Sequence, residues 1–279
     1  MADDKPQNLE EYHVWLQKKF DIELPSEMEQ YYDLVSQNLR ADFEGSPFWR
    51  TLLKELKNYD ADYYVISKDF HLYGLDYKPV LHTKPYPSII DKSYRKNVVD
   101  NNNWPAEPDG GWIFPDNWFE KINDIVRTTI EVKYLDGVEF VCNRLGELCA
   151  KQGKECEITF EAREEGYYAS HAVIKHEFKI THVNWTTKII LVSIEIQITT
   201  QLQELIKKLL HAHYEERRIE QKDFRKNNKK KWQWDYRCDE FATNYLGHIL
   251  HYIEGMIMDV RDRRCRKVEE QCRRLEDLL

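Results

Sequence analysis

The chain contains 279 residues, of which 42% are hydrophobic and 32% charged, and its formal net charge is −8. This composition provides enough apolar side chains for a folded core, excludes a disordered chain, and limits any nucleic-acid binding to a local basic patch. The six cysteines form no Cys-x-x-Cys pair, which argues against a zinc knuckle, and no apolar run reaches the length of a signal segment or a membrane span. We therefore expect a cytoplasmic protein with reduced thiols and no membrane partner.

The N-terminal residues carry mainly helical patterns. Apolar residues at spacings of three and four predict helices over residues 8–60, with a break around Pro25. A short strand is predicted at residues 62–66, and the asparagines, prolines and glycines of residues 97–118 predict a long loop. We interpret residues 1–79 as an N-terminal helical region.

From residue 128 onward, strand and helix patterns alternate. Strands are predicted at residues 128–135, 157–162, 169–180 and 189–200, and helices at residues 137–151 and 201–220. This alternation predicts an α+β fold in which helices flank a mixed β-sheet, with N-terminal helices and a C-terminal helical tail. The central domain is assigned to residues 80–220, and residues 221–279 to a basic linker and a C-terminal helix.

The C-terminal region combines a basic run with an amphipathic helix. Residues 217–231 contain eight basic and two acidic residues and precede Trp232, which suits RNA binding, although a solvated helix end has the same composition. The candidate RNA contacts are Lys229, Lys230, Lys231 and Trp232. Apolar positions at residues 246–260 predict a helix that either packs on the central domain or offers a surface to a second copy or a partner.

One block of residues has the spacing of a polyphosphate site. If a helix follows Pro87, Ser88 caps it and shares one face with Lys92 and Arg95, while Lys84 lies just upstream. The first amides of such a helix and the basic side chains suit phosphate groups. A solvated basic helix would show the same pattern.

Two carboxylates stand where strands could bring them together. Asp124 directly precedes a predicted strand, so it either helps to bind Mg²⁺ or caps a turn. Glu195 alternates with Ile194 and Ile196, which places it on the polar face of a half-buried strand. Asp124 and Glu195 form a metal-binding pair if their strands are neighbours. Tyr167 either stacks on a base or belongs to the core.

In chain order, these blocks resemble the RelA/SpoT synthetase domain over roughly residues 80–215. The pattern typical of that family is R-x-K-x-x-x-S-I-x-x-K-x-x-R, then D-I-x-G, then G-Y-x-S-x-H, then E-I-Q-I-R-T and a later histidine. The matching residues here are His82, Lys84, Ser88, Ile89, Lys92 and Arg95, then Asp124 to Arg127, then Gly166, Tyr167 and His171, then Glu195 to Thr200 and His211. Four ordered blocks are more specific than any one of them.

The resemblance implies a nucleotidyltransferase-like fold and an ATP-dependent pyrophosphokinase that transfers the β,γ-pyrophosphate of ATP to a ribose 3′-hydroxyl with Mg²⁺ as cofactor. It implies that Asp124 binds the metal and that Glu195 binds metal or acts as the base. The ATP phosphates would contact Lys84, Ser88, Lys92, Arg95 and Arg127, and the acceptor would contact Tyr167, His171, Gln197 and His211.

Departures from the family pattern bear on the acceptor. His82 and Thr199 stand where the family has arginines, Arg127 stands where it has a glycine, and Ala169 where it has a serine. Residues 1–79 are too few for the hydrolase domain of long family members, so we expect a stand-alone synthetase of bacterial or phage origin.

Three functions remain open from the sequence. The altered motifs and the basic run favour the toxic subset of the family, which modifies the 3′-terminal adenosine of tRNA and is neutralised by a protein antitoxin. The alternative is an alarmone synthetase that uses GDP or GTP and makes (p)ppGpp. A catalytically silent member that binds a partner is the third hypothesis.

Overall fold

A computed structural model of the protein describes residues 5–163, 166–181, 186–209, 234, 236–237 and 239–276. Its helices are α1 (Leu9–Phe20), α2 (Ser26–Glu44), α3 (Pro47–Ile66), α4 (Tyr86–Tyr94), α5 (Trp118–Lys121), α6 (Leu135–Lys151), α7 (residues 201–209) and α8 (Asp239–Glu276). Its strands are β1 (His82–Thr83), β2 (Val126–Val132), β3 (Cys156–Ala162), β4 (Tyr168–Thr181) and β5 (Thr187–Thr200). Helices and strands thus alternate largely as the sequence predicts.

The N-terminal helices begin at recognisable capping residues. The side chain of Asn8 accepts a hydrogen bond from the Glu11 amide, and that of Ser46 accepts one from the Trp49 amide. The prediction of a strand at residues 62–66 is wrong, because α3 continues to Ile66. Tyr59 and Tyr63 keep the buried face of α3 in helical register through that segment.

The five strands form one mixed sheet in the order β1-β2-β5-β4-β3. Strands β2 and β5 are parallel, and the other neighbouring pairs are antiparallel. The prediction of a mixed sheet flanked by helices is therefore confirmed. The parallel pairing matters most for function, because it aligns Arg127 with Glu195 and brings the start of β2 beside the middle of β5.

The two faces of the central strands differ in chemistry. Ile130, Ile194, Ile196 and Ile198 are fully buried and belong to a core cluster that also includes residues of α2, α3 and α6. The alternate positions carry polar side chains such as Arg127, Glu195 and Gln197, which project from the opposite face. The N-terminal helices share this core with the sheet, and the domain limits at residues 79 and 220 stay predictions.

A second aromatic cluster fixes the long loop at residues 97–118. Tyr12, Trp15 and Tyr94 form its centre, and Trp112 packs against it from the loop. Buried Asn97 donates to the Tyr12 hydroxyl and to the Ile113 carbonyl, and its side-chain oxygen accepts from the Ile113 amide. These bonds replace the regular backbone pairing that the loop lacks.

Helix α8 contacts the rest of the molecule through small and polar residues. Gly247, Glu254 and Arg261, at seven-residue intervals, are buried. The apolar positions Leu246, Ile249, Ile253, Ile257 and Val260 retain 37% to 66% of their surface exposed. The helix therefore packs on the central domain, as one of the two interpretations has it, but through these buried residues and not through its apolar face. Among the helices of the described residues, none is long and apolar enough to cross a membrane.

Candidate active site

Helix α4 starts before the position expected from the sequence. Its first residue is Tyr86, preceded by Pro85 as N-cap, so the prediction that Ser88 caps the helix is wrong. Pro87 occupies the first turn without needing an amide partner, which allows the helix to begin upstream of it. The Ser88 amide already donates to the Pro85 carbonyl, and its half-buried side chain lies in the first turn.

Two lysines converge on Asp124. The Lys84 Nζ atom lies 2.7 Å from Oδ2, and the Lys92 Nζ atom lies 2.8 Å from Oδ1. Burial alone would raise the pKa of Asp124, but the attraction of Lys92 and Lys84 outweighs it and lowers that pKa to about 2. Burial lowers the pKa of Lys84, against the attraction of Asp124. The sequence-predicted phosphate ligands Lys84 and Lys92 therefore meet the predicted metal ligand.

The two arginines of the predicted ATP site lie in different elements, and, in addition to burial, the charge of Arg127 helps to lower the pKa of Lys84. Arg95 follows α4 in a short π-helical turn, and its Nε atom pairs with Asp91 Oδ2 at 3.0 Å. Arg127 lies in β2 between His82 of β1 and Glu195 of β5 in the strand register. Its side chain therefore emerges from the same sheet face as that of Glu195.

A hydrogen-bonded chain leads from Glu195 to Tyr167. His171 Nδ1 lies 2.5 Å from Glu195 Oε1, and the Tyr167 hydroxyl lies 3.0 Å from His171 Nε2. An ionised carboxylate only accepts, so His171 donates from Nδ1 and its Nε2 accepts the Tyr167 proton. Burial, together with the charges of Glu161 and Glu195, raises the pKa of Tyr167 well above its usual range. Three predicted site residues are thus joined.

Gln197 extends this chain toward α7. Its Nε2 atom donates to Glu195 Oε2 at 3.3 Å, and its Oε1 atom accepts from Lys207 Nζ at 2.6 Å. Lys207 also pairs with Glu204 at 3.2 Å. No sequence pattern indicates Lys207, because it stands in an ordinary helical run, and only the packing of α7 beside β5 brings it to Gln197.

Part of the lysine–Asp124 cluster and part of the Glu195 chain line one cavity of about 220 Å³. Lys92 and Asp124 form one part of its wall, and His171 and Glu195 form another. Glu157 and Glu161 of β3 also line it, and sequence reasoning missed both. The alternation of Glu157, Thr159 and Glu161 with Ile158 and Phe160 is the signal that could have revealed them.

The donor set of this cavity suits Mg²⁺ when the ligand supplies further oxygens. Asp124 and Glu195 are hard oxygen donors on the same cavity wall. Among the residues that the structure describes, no group of three His, Cys, Asp or Glu side chains is arranged to hold a metal. Mg²⁺ in nucleotide enzymes commonly takes one or two protein carboxylates and completes its shell with phosphate and water oxygens. The residues present therefore fit that ion.

Several predicted residues cannot be placed in this geometry. The acceptor residue His211 and the candidate RNA contacts Lys229, Lys230, Lys231 and Trp232 lie outside the described residues. The basic run at residues 217–231 lies outside them as well. Their roles stay predictions.

Comparison with known proteins gives matches among solved structures. The sequence matches no protein-family model and no curated protein. A GTP pyrophosphokinase family protein from Streptococcus pneumoniae is similar at 18% identity and a TM-score of 0.48, over 86% of this chain and 97% of that one. Small alarmone synthetase 1 from Bacillus subtilis, bound to its product pppGpp, is similar at 17% identity and a TM-score of 0.47, over 77% of this chain and 90% of that one. Small alarmone synthetase 2 from the same organism is similar at 19% identity and a TM-score of 0.42, over 77% and 98%.

In fold, the chain resembles small alarmone synthetases. These similarities concern the fold alone, and the match of the four sequence blocks stays a resemblance.

Proposed function

We propose that the chain is a Mg²⁺-dependent pyrophosphokinase that transfers the β,γ-pyrophosphate of ATP to a ribose 3′-hydroxyl. The observation that supports this is the shared cavity, which is lined by Asp124 and Lys92 and by Glu195 and His171. Transfer of phosphoryl groups requires cations that position the phosphates and a carboxylate near the attacking hydroxyl. Both are present within one small volume.

Lys84 and Lys92 bind the phosphates of ATP in this proposal. Both lysines pair with Asp124, and a polyphosphate would compete for their ammonium groups. Asp124 would hold Mg²⁺, which would supply charge neutralisation at the phosphate oxygens. Arg127, on the same sheet face as Glu195, supplies a further cation in the position where the family has a glycine.

Glu195 acts as the base that takes the proton of the 3′-hydroxyl. His171 donates to its Oε1 atom and Gln197 donates to its Oε2 atom, so the carboxylate is held in one orientation. Tyr167 provides a ring for the acceptor base. The Arg163 guanidinium lies over that ring, 5.3 Å from its centroid, so a base that stacks on the same face requires Arg163 to move.

The first candidate acceptor is GDP or GTP, which would make the chain a (p)ppGpp synthetase. It is the acceptor of the stand-alone synthetases that the sequence resembles. Two cations support it, because Arg163 lies over the Tyr167 ring and Lys207 contacts Gln197, where either can reach the 5′-phosphates of a bound nucleotide.

The second candidate acceptor is the 3′-terminal adenosine of tRNA. Glu157 and Glu161 line the cavity beside His171, and this acidic wall disfavours a second free polyphosphate. The basic residues at 217–231 would then contact the RNA backbone, and a protein antitoxin would be the expected partner.

A transfer assay tests the proposal. The protein is incubated with Mg²⁺ and γ-labelled ATP, separately with GDP, GTP, AMP and total tRNA. We expect label on one acceptor and a loss of at least about 100-fold in the rate of transfer in Glu195→Gln. A chelator should stop the transfer, and excess Mg²⁺ should restore it. Glu131→Gln is the matched control, because Glu131 lies on the same sheet face but pairs with Lys208 outside the cavity.

Label on GDP or GTP identifies an alarmone synthetase, and label on tRNA identifies a tRNA-modifying enzyme. Absence of label from every acceptor, with ATP bound normally, would reject the proposed activity and favour the silent, partner-binding protein.

A further inference from the structure

Helix α8 meets the turn before β4 at a contact between two glycines. Gly166 adopts a φ of +78°, and a Cβ atom at this position would overlap the Asn244 carbonyl oxygen of α8. A Cβ atom at Gly247 would in turn overlap the Gly166 carbonyl oxygen. Both obstructing atoms belong to the backbone, so neither can move aside as a flexible side chain would. The helix and the turn therefore sit at a distance that only glycine permits.

Tyr168, which follows the turn and faces α8, contacts two histidines of that helix. The Tyr168 hydroxyl lies 2.9 Å from His248 Nδ1. The Tyr168 ring lies parallel to that of His251, with centroids 3.7 Å apart and an interplanar angle of 4°. On the other side, the Tyr168 carbonyl accepts a hydrogen bond from Thr199 Oγ1 at 3.1 Å. The start of β4 is thus held between α8 and β5.

Tyr167 lies between these two held residues and contacts His171, which lines the active-site cavity. Neighbouring side chains in an extended segment project to opposite sides, so Tyr168 faces α8 while Tyr167 contacts His171. His171 in turn contacts Glu195. A displacement of the turn by α8 therefore changes the position of the Tyr167 ring and of the chain attached to it.

Helix α8 is also held at two further places. A clash with the turn at residues 166–168 is therefore expected to displace the turn rather than the helix. Glu254 accepts hydrogen bonds from the Thr200 hydroxyl and from Gln203. Arg261 pairs with Asp136 at 2.5 Å. The helix is thus a rigid support anchored to β5, α7 and α6.

We infer that α8 is a positioning element of the acceptor site, in which Gly247 and His251 set the place of Tyr167 through the turn at residues 166–168. This inference rests on the proposed function, because it assigns Tyr167 to acceptor binding. The proposed function assigns ATP binding to Lys84 and Lys92, which pair with Asp124, whereas Tyr167 contacts His171, so we expect α8 to act on the acceptor and to leave ATP binding unaffected.

The test compares two glycine-to-alanine variants of the same helix. Gly247→Ala places a methyl group against the Gly166 backbone, whereas Gly255→Ala places one in open space. Both gain the same helix propensity. With the acceptor that the wild type labels, we expect Gly247→Ala to raise the acceptor KM about ten-fold and to leave the KM for ATP within about two-fold. Gly255→Ala should match the wild type in both constants.

Hydrogen exchange provides a readout that does not depend on activity. The amides of residues 166–168 should exchange faster in Gly247→Ala than in Gly255→Ala, while those of β2 stay unchanged. If Gly247→Ala fails to fold, His251→Ala removes the ring stacking without adding a clash and should show the same selective rise in acceptor KM.

Two failures are distinguishable. A wild type that labels no acceptor rejects the proposed function, and the exchange measurement still tests the contact. If the wild type is active but Gly247→Ala and Gly255→Ala have equal acceptor KM values, the inference is overturned. A fall in kcat alone in Gly247→Ala overturns it as well, because loss of folded protein lowers kcat without changing KM.

Discussion

Asp124 carries two charge-assisted hydrogen bonds while its own side chain is largely buried. Removing a carboxylate from water is costly, and its ionised form persists here only because Lys84 and Lys92 lie within 2.7 Å and 2.8 Å of its oxygens. Asp124 thus forms stabilising ion pairs, and the proposed function assigns it to metal binding as well. Stability and activity are both expected to depend on Asp124.

The first prediction concerns acid stability. The folded-state pKa of Asp124, about 2, lies below its ordinary value of 3.8, so its contribution is present above pH 4 and is lost as the pH falls to 2. We expect Asp124→Asn to be less stable by about 2 kcal/mol at pH 7 in urea unfolding, and to match the wild type near pH 2. Asp116→Asn is the control, because Asp116 is exposed. A difference that does not change with pH would contradict the ion pair.

The second prediction separates a phosphate ligand from a surface lysine. Lys92 donates to Asp124, whereas Lys96, one turn later, is exposed. We expect Lys92→Ala to raise the KM for ATP about ten-fold, because a hydrogen bond to a charged group contributes roughly 1.5–3 kcal/mol. Steady-state kinetics at saturating acceptor measure this, and Lys96→Ala should behave as the wild type. An equal effect of both substitutions would point to general electrostatic attraction.

At the scale of elements, local sequence patterns predicted most helices and strands, but they misassigned the buried face of α8 and the first residue of α4. The alternation of residues 189–200 and the spacing of residues 137–151 gave β5 and α6 because one face of each is uniformly buried. Local patterns did not predict the buried face of helix α8. That face consists of Gly247, Glu254 and Arg261, whose partners lie in distant elements. No local pattern encodes such pairings.

In the candidate active site as well, sequence motifs predicted some residues, and only tertiary packing reveals the others. The ordered motif blocks indicated Lys84, Lys92, Asp124 and Glu195, and the structure brings all four around one region of the sheet. Lys207 and Glu161 were missed because their places depend on how α7 and β3 pack. Sequence motifs indicate the residues that recur in a family, whereas tertiary packing determines which further residues surround them.

The third prediction concerns the anchoring of α8. Arg261 is buried, pairs with Asp136, contacts the Tyr63 hydroxyl and lies over three aromatic rings. Arg263, on the same helix, is exposed and pairs only locally with Asp259 among the contacts described. We expect Arg261→Ala to lower the free energy of unfolding by about 2 kcal/mol, since Asp136 and Tyr63 lose their partner.

Arg263→Ala should leave that free energy nearly unchanged, because exposed ion pairs contribute little. Urea unfolding monitored by far-UV circular dichroism compares the two variants. Equal stabilities would mean that α8 is not held at this point, and the positioning role of Gly247 would then need another anchor.

At the scale of the whole molecule, a net charge of −8 coexists with a cationic cluster at one place in the sheet. Lys84, Lys92 and Arg127 come from three elements, and the sheet register and α4 concentrate them beside Asp124 and Glu195. In a chain that is acidic overall, we expect these clustered cations to attract a polyphosphate to their part of the sheet. The central claim, pyrophosphate transfer, rests on this concentration.

The most direct test of that claim follows the phosphorus atoms of ATP labelled separately at the α-, β- and γ-positions. Pyrophosphate transfer moves β- and γ-label to the acceptor in equal amounts and releases the α-label as AMP. Glu195→Gln should abolish both products together. Transfer of γ-label alone with release of ADP, or transfer of α-label to the acceptor, would contradict the proposed reaction, because the first is an ordinary kinase and the second a nucleotidyl transfer.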